Sequence, residues 1–327
     1  MPSLLNMPKV VMNLILEKSD YCSIQCLRKS CRDLRHFIDD VKPESKLEKF
    51  EITVYNTKII VNSVFRDQSE SKIVYEHREN GCLLKFNKKK KLLDNLDFSE
   101  VVAGDLQYLL NMTKCLDSFD VIIDHYDKVA ERLQDLLHPG IHPIKVKNFY
   151  MCFFWDHQIS WFLSLLEVSK LEKIDLYCGD ERCCSETLKF RDAYVLEQWK
   201  KAKEFEASEV GVHIPIKHMV HFEKIRMESK KVPVNMIVKL KKAFLRNSYM
   251  KKYVFEYQIE PDYQRLNQLI GQPYKNHLED IIQWFYEIPN SPQEVLVLTS
   301  HSVPRTVWHF SFERVERRSV PVDVFDL

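Results

Sequence analysis

Two short segments within the first forty residues carry apolar stripes at helical spacing, and they restrict what this end of the chain can fold into. Pro8 suits the first turn of a helix, where its missing N–H is not needed. Val10, Val11, Leu14 and Ile15 then fall on one helical face. Beyond the polar patch Glu17-Lys18-Ser19-Asp20, Asp20 and Ser23 offer caps for a second helix bearing Ile24, Leu27 and Cys31. A third helix carries Leu34, Phe37 and Ile38 and fades into Asp39-Asp40-Val41-Lys42-Pro43. Helices this short can hardly bury all of their own apolar side chains. The surplus predicts a surface meant for another protein rather than an active site.

Lys42-Pro43-Glu44-Ser45-Lys46 reads as a hinge, which sets a helical module at residues 1–42 and a linker at 43–49. Strand patterns follow. Phe50, Ile52, Val54 and Tyr55 alternate, and Ile73-Val74-Tyr75 and Cys82-Leu83-Leu84 flank Asn80-Gly81, a tight-hairpin signal. An antiparallel segment is therefore expected over residues 50–97, with Lys88 to Lys91 a solvated run. From residue 98 helix and strand patterns alternate. Strands are predicted at Phe119–Ile123, Val146–Met151, Leu171–Tyr177, His221–Met227 and Tyr253–Tyr257, with helices in most of the intervals. Leu171-Glu172-Lys173-Ile174-Asp175-Leu176 and Phe222-Glu223-Lys224-Ile225-Arg226-Met227 look like copies of one unit. This pattern predicts a degenerate strand–helix repeat over residues 98–320, before a tail at 321–327.

Composition excludes several classes of function. Apolar residues at 45% and charged residues at 29% belong to a folded chain, and 327 residues allow one large domain and a small one. A net charge of +1 supplies no field to hold nucleic acid or an anionic membrane. No eighteen consecutive residues are apolar, and no basic segment with an apolar run and cleavage site opens the chain. A cytoplasmic or nuclear location is expected, with the nine cysteines reduced. The six glycines are too few for phosphate-cradling loops.

No constellation for catalysis stands out. Cys22, Cys26 and Cys31 lack a fourth metal ligand, and Cys178, Cys183 and Cys184 depart from zinc-ribbon spacing. His213, His218 and His221 form no His-Glu-x-x-His helix, and Asp156-His157 has no nucleophile in a recognisable elbow. Trp155, Trp161, Trp199 and Trp284 read mostly as core. The chain is therefore expected to be neither an enzyme nor a cofactor carrier.

The N-terminal block resembles an F-box. Met7-Pro8, Val11, Ile15-Leu16, Ile24, Leu27, Cys31-Arg32 and Leu34-Arg35 stand where that motif places its hydrophobic and Cys-Arg landmarks, with Leu4-Leu5-Asn6 in place of the usual first one. The rest resembles the FTH domain of the nematode F-box A family. Ile144-Lys145-Val146-Lys147, Leu171-Glu172-Lys173-Ile174, Glu197-Gln198-Trp199-Lys200-Lys201-Ala202, His221-Phe222-Glu223 and Trp284–Ser291 carry that likeness. The expected fold is α/β: a three-helix F-box, then an irregular leucine-rich-repeat-like solenoid with antiparallel strands at its start. The resemblance implies docking on the Skp-type linker subunit of a cullin–RING ubiquitin ligase. Leu5, Met7, Pro8, Val11, Ile15, Leu16, Ile24, Leu27 and Leu34 would supply or support that surface, and the C-terminal domain would select a target protein. No nucleic acid or membrane partner is implied. The alternative is a repeat-type interaction protein outside any ligase, its F-box serving only as a folding cap.

Overall fold

The structure is a computed structural model. It describes residues 7–124, 128–137, 143–153, 155–178, 189–208, 211–274, 281–289, 291–303 and 307–321, the side chains of Cys22, Lys29, Gln134 and Val303 excepted. The chain divides into two compact units: Met1–Asn148 with Leu165–Lys170, and Phe149–Ser164 with Leu171–Leu327.

The first unit opens with three ten-residue helices, α1 (Lys9–Lys18), α2 (Tyr21–Ser30) and α3 (Arg32–Val41). Local chemistry sets their ends. The Asp20 carboxylate accepts the Ser23 N–H at 2.7 Å to cap α2, and the Cys31 sulfur accepts the Leu34 N–H at 3.5 Å to open α3. Five strands follow: β1 (Leu47–Val54), β2 (Lys58–Phe65), β3 (Glu70–Arg78), β4 (Gly81–Phe86) and β5 (Lys89–Asp94). After them come α4 (Phe98–Asn111), β6 (Leu116–Ile123) and α5 (Lys128–Leu137). The sheet order is β6-β1-β2-β3-β4-β5, with β1 parallel to β6 and the other neighbours antiparallel.

The predicted hairpin forms at Glu79-Asn80, with Arg78 opposite Gly81. Gly81 has φ 140°, and a Cβ there would lie 2.1 Å from the Leu93 carbonyl oxygen, so only glycine fits. The expected solvated lysine run is instead largely edge strand β5, on which Lys89, Lys90 and Lys91 are all exposed. Lysines along an edge strand discourage a second chain from pairing there.

The stretch read as a hinge is fastened in place. Ser45 is 1% exposed; its hydroxyl shares a 2.8 Å hydrogen bond with Thr113 Oγ1, and its N–H donates to the Met112 carbonyl at 3.0 Å. Lys46, at φ 56°, sends its ammonium to the carbonyls of Glu17 and Ser19 at the C-terminal end of α1. A cation there offsets the negative end of the helix.

β7 (Val146–Phe153) begins in the first unit and ends in the second. The second unit continues with α6 (Asp156–Ser164), β8 (Lys173–Cys178), α7 (Glu197–Lys201), β9 (Glu204–Ser208), β10 (Lys224–Lys231), α8 (Val234–Arg246), β11 (Lys252–Ile259), α9 (Tyr263–Ile270), β12 (Ile281–Glu287), β13 (Glu294–Val303) and β14 (Val307–Glu316). The strands β8 to β11 are parallel, each paired with the next. The two copied segments are the starts of β8 and β10. The strand β9 lies between them, so that Ile174, Phe205, Ile225 and Tyr253 form one inward row.

The strand–helix progression ends at β11, short of residue 320. The strands β14, β13 and β12 continue the sheet antiparallel. The fold class is thus α/β with N-terminal helices, and the expected solenoid reduces to a parallel run closed by a meander. Trp199 is fully buried among Phe190, Tyr194, Phe205 and Phe222. Trp155, read as core, is 48% exposed instead. Cys178 is disulfide-bonded, contrary to the expectation that all cysteines are reduced.

Candidate partner-docking site

The helix α1 is short, and its two faces differ. Met12 and Leu16 are buried, and Leu16 joins Ile24 and Ile38 in a small core against which Leu27, Phe37 and Val41 lean. The opposite face is open: Val10 is 70% exposed, Val11 40% and Leu14 50%. Val10 and Leu14 are four residues apart, and Val11 and Leu14 three, so they form one apolar patch. Pro8 is exposed beside it and Met7 half-buried.

The frame behind the patch is rigidly specified. Arg28 forks onto both oxygens of Asp39, joining α2 to α3, with Nε at 2.7 Å and Nη2 at 3.1 Å. The same guanidinium lies over the Tyr108 ring of α4 at 4.2 Å. Tyr21 stacks on Phe65 of β2 with centroids 5.5 Å apart. Hydrogen bonds from Ser23 hold the Asp20 carboxyl below its usual range, keeping the cap charged.

The residues expected to dock therefore divide. Pro8 and Val11 lie on the open surface, and Met7, Ile15 and Leu27 are half-buried. Leu16, Ile24 and Leu34 are buried and hold the bundle rather than touch a partner. Leu5 lies outside the described residues. Val10 and Leu14, the most exposed apolar residues of α1, were absent from the expected set. Their four-residue spacing was the signal that pointed to them.

Two of the histidines weighed as chemical candidates are packed against Trp199 and Tyr194. His221 Nε2 lies 2.8 Å from the Trp199 carbonyl, and the Trp199 indole donates to the His218 carbonyl at 3.1 Å. His218 also stacks on Tyr194 at 4.6 Å. Among the described residues no three His, Cys, Asp or Glu side chains are grouped to hold a metal. Cys183 and Cys184, and the side chain of Cys22, lie outside the described residues. No described helix is long and apolar enough to cross a membrane.

A three-helix N-terminal module with an open apolar face thus leads into a strand-rich α/β region. Residues 4–46 match the F-box domain and residues 127–268 the FTH domain. The chain is similar to F-box A protein 224 of Caenorhabditis elegans, with 26% identity over 254 residues. The match covers 73% of this chain and 62% of that relative, so the chain spans less than two thirds of the relative's length. No solved structure matches it. The chain thus carries an F-box domain followed by an FTH domain.

Proposed function

We propose that this protein is a substrate-recognition adaptor of a cullin–RING ubiquitin ligase, acting in the cytoplasm or nucleus. Its F-box binds a Skp-type linker subunit, and its C-terminal region binds the protein to be ubiquitinated. The adaptor itself carries out no catalysis; it brings a target close to a ligase. The observation that carries this reading is the apolar patch of Val10, Val11 and Leu14, left open on a helix whose other face is filled. Isolated exposed apolar residues are ordinary, but a contiguous group within an F-box match is what a partner would cover.

Docking on this patch would be mostly apolar, which suits a chain with a net charge of +1. A standard interface removes roughly 800 Å² from each partner, and burial contributes about 25 cal/mol per Å² of apolar area before the costs of association. The test is a titration of the full chain with a Skp-type linker subunit. Val10→Asp with Leu14→Asp is expected to weaken binding at least about a hundredfold while the circular dichroism spectrum stays unchanged. Unaltered binding by that variant would remove the assigned face.

A further inference from the structure

In the second unit, a cavity of about 570 Å³ opens beside the C-terminal half of β10. Its floor is apolar: Val212, Ile214, Met227, Val232 and Phe255 line it and are buried. Met227 and Phe255 are register partners on β10 and β11, so the deepest part of the floor belongs to the inward face of the sheet. The rim carries four exposed lysines from three separate segments, Lys217, Lys230, Lys231 and Lys239. None of the four has a carboxylate within 4.0 Å among the described residues.

Several other basic side chains of this unit are matched: Lys173 with Glu206, Lys224 with Glu204, Lys251 with Glu223, Lys252 with Glu313 and Arg226 with Glu256. Around the cavity the positive charge is unanswered. The first turn of α8, which forms one wall, contains no acidic residue either.

A second hollow of about 310 Å³ shares Lys231, Val232, Pro233 and Asn235 with the first and runs on to Ile259, Glu260, Asp262 and Arg265, so its far end carries two carboxylates, of which Asp262 caps α9. The two together make an elongated trough across the C-terminal ends of β10 and β11. Ligands of parallel sheets commonly sit outside such strand ends. Besides the lysines the first hollow is lined by few polar side chains, His213, Ser229 and Asn235, among a larger apolar set. An apolar pocket ringed by charge is the arrangement of a protein-binding hot spot.

We propose that this trough binds an extended acidic segment of a target protein, inserting apolar side chains onto the Met227–Phe255 floor while its carboxylates meet the four lysines. The inference rests on the adaptor reading and says where on the C-terminal region the target is held.

The test uses the full chain and a fluorescein-labelled decapeptide with a central Leu-Phe pair flanked by four aspartates on each side, followed by fluorescence anisotropy. Binding is expected, weakening as salt rises. It should fall about tenfold or more when Ser-Ser replaces Leu-Phe, when lysines replace the aspartates, or in Lys217→Glu with Lys239→Glu. Lys88→Glu with Lys90→Glu, the same charge change on the first unit, should bind as the parent does. No binding of the acidic peptide, equal binding of the lysine-flanked one, or full displacement by millimolar citrate would overturn the proposal. So would self-association of the chain that only the Lys217→Glu, Lys239→Glu variant abolishes, which would mean that a second copy occupies the trough. Peptide binding lost while linker binding persists defeats this inference alone; linker binding lost while peptide binding persists defeats the adaptor reading alone.

Discussion

The guanidinium carbon of Arg28 lies 4.2 Å from the centroid of the Tyr108 ring while its nitrogens hold both oxygens of Asp39. One side chain thus ties α2 to α3 and both to α4, which lies well outside the F-box match at residues 4–46. The F-box helices share a folding unit with the sheet that follows them.

Arg28→Lys keeps the charge but loses the planar fork and the flat stacking on the ring. Because Arg28 is partly buried, a loss of about 1 kcal/mol is expected, measurable by urea denaturation of the full chain. A double-mutant cycle with Tyr108→Leu should give a coupling of roughly 0.5–1 kcal/mol. Additive effects would mean the stacking contributes nothing.

The two faces of α1 should respond oppositely to substitution. Ile24→Ala removes part of the Leu16–Ile24–Ile38 core and is expected to lower stability by about 2–5 kcal/mol. Val10→Ala, on the open face, should stay within about 0.5 kcal/mol of the parent. Thermal unfolding of both variants checks this; a large loss for Val10→Ala would mean that the face is covered by the chain itself.

Ser45 predicts that the join between α3 and β1 is not a flexible hinge. Ser45→Ala deletes the bond to Thr113 and the acceptor of the Leu47 N–H, at a cost of about 1–2 kcal/mol. Limited trypsin digestion should leave the parent uncut at Lys46 while cleaving there in Ser45→Ala. Rapid cleavage of the parent would contradict the buried arrangement.

Stability should decline in mild acid. Burial lowers the pKa of His221, although the Trp199 carbonyl opposes this, and burial also lowers those of His218 and His301. A histidine whose folded pKa lies below its unfolded value of 6.5 binds protons more readily once unfolded. Its contribution is therefore complete above that value and lost as pH falls toward the folded pKa. Melting temperature should drop between about pH 7 and pH 5, and His221→Gln should flatten the slope. A flat profile in the parent would show these imidazoles to be exposed.

Much of this structure was legible where neighbours in sequence decide the outcome. Asp20 caps α2 through the N–H three residues on, and the Asn80-Gly81 signal marks a hairpin whose turn residues are Glu79-Asn80 and whose next position admits only glycine. Alternating Ile59, Val61 and Phe65 on β2 point inward as their period of two requires. The strand β9 escaped notice because Glu204–Ser208 offers only Phe205 and Ala207 to such a pattern. It is a strand because parallel neighbours on both sides satisfy its backbone.

By itself the sequence settled most of the element types, the F-box and FTH likenesses and the presence of more apolar side chains on α1 than one face can hide. Only the tertiary structure decided which of them stay open, that Leu16 and Ile24 turn inward while Val10 and Leu14 do not, that Ser45 is buried, and that four lysines ring an apolar hollow. Capping and turn formation depend on atoms a few residues apart. Burial depends on what distant segments bring to the same place, such as Ile38 against Leu16, Thr113 against Ser45 and Phe255 beside Met227, and no local pattern records it.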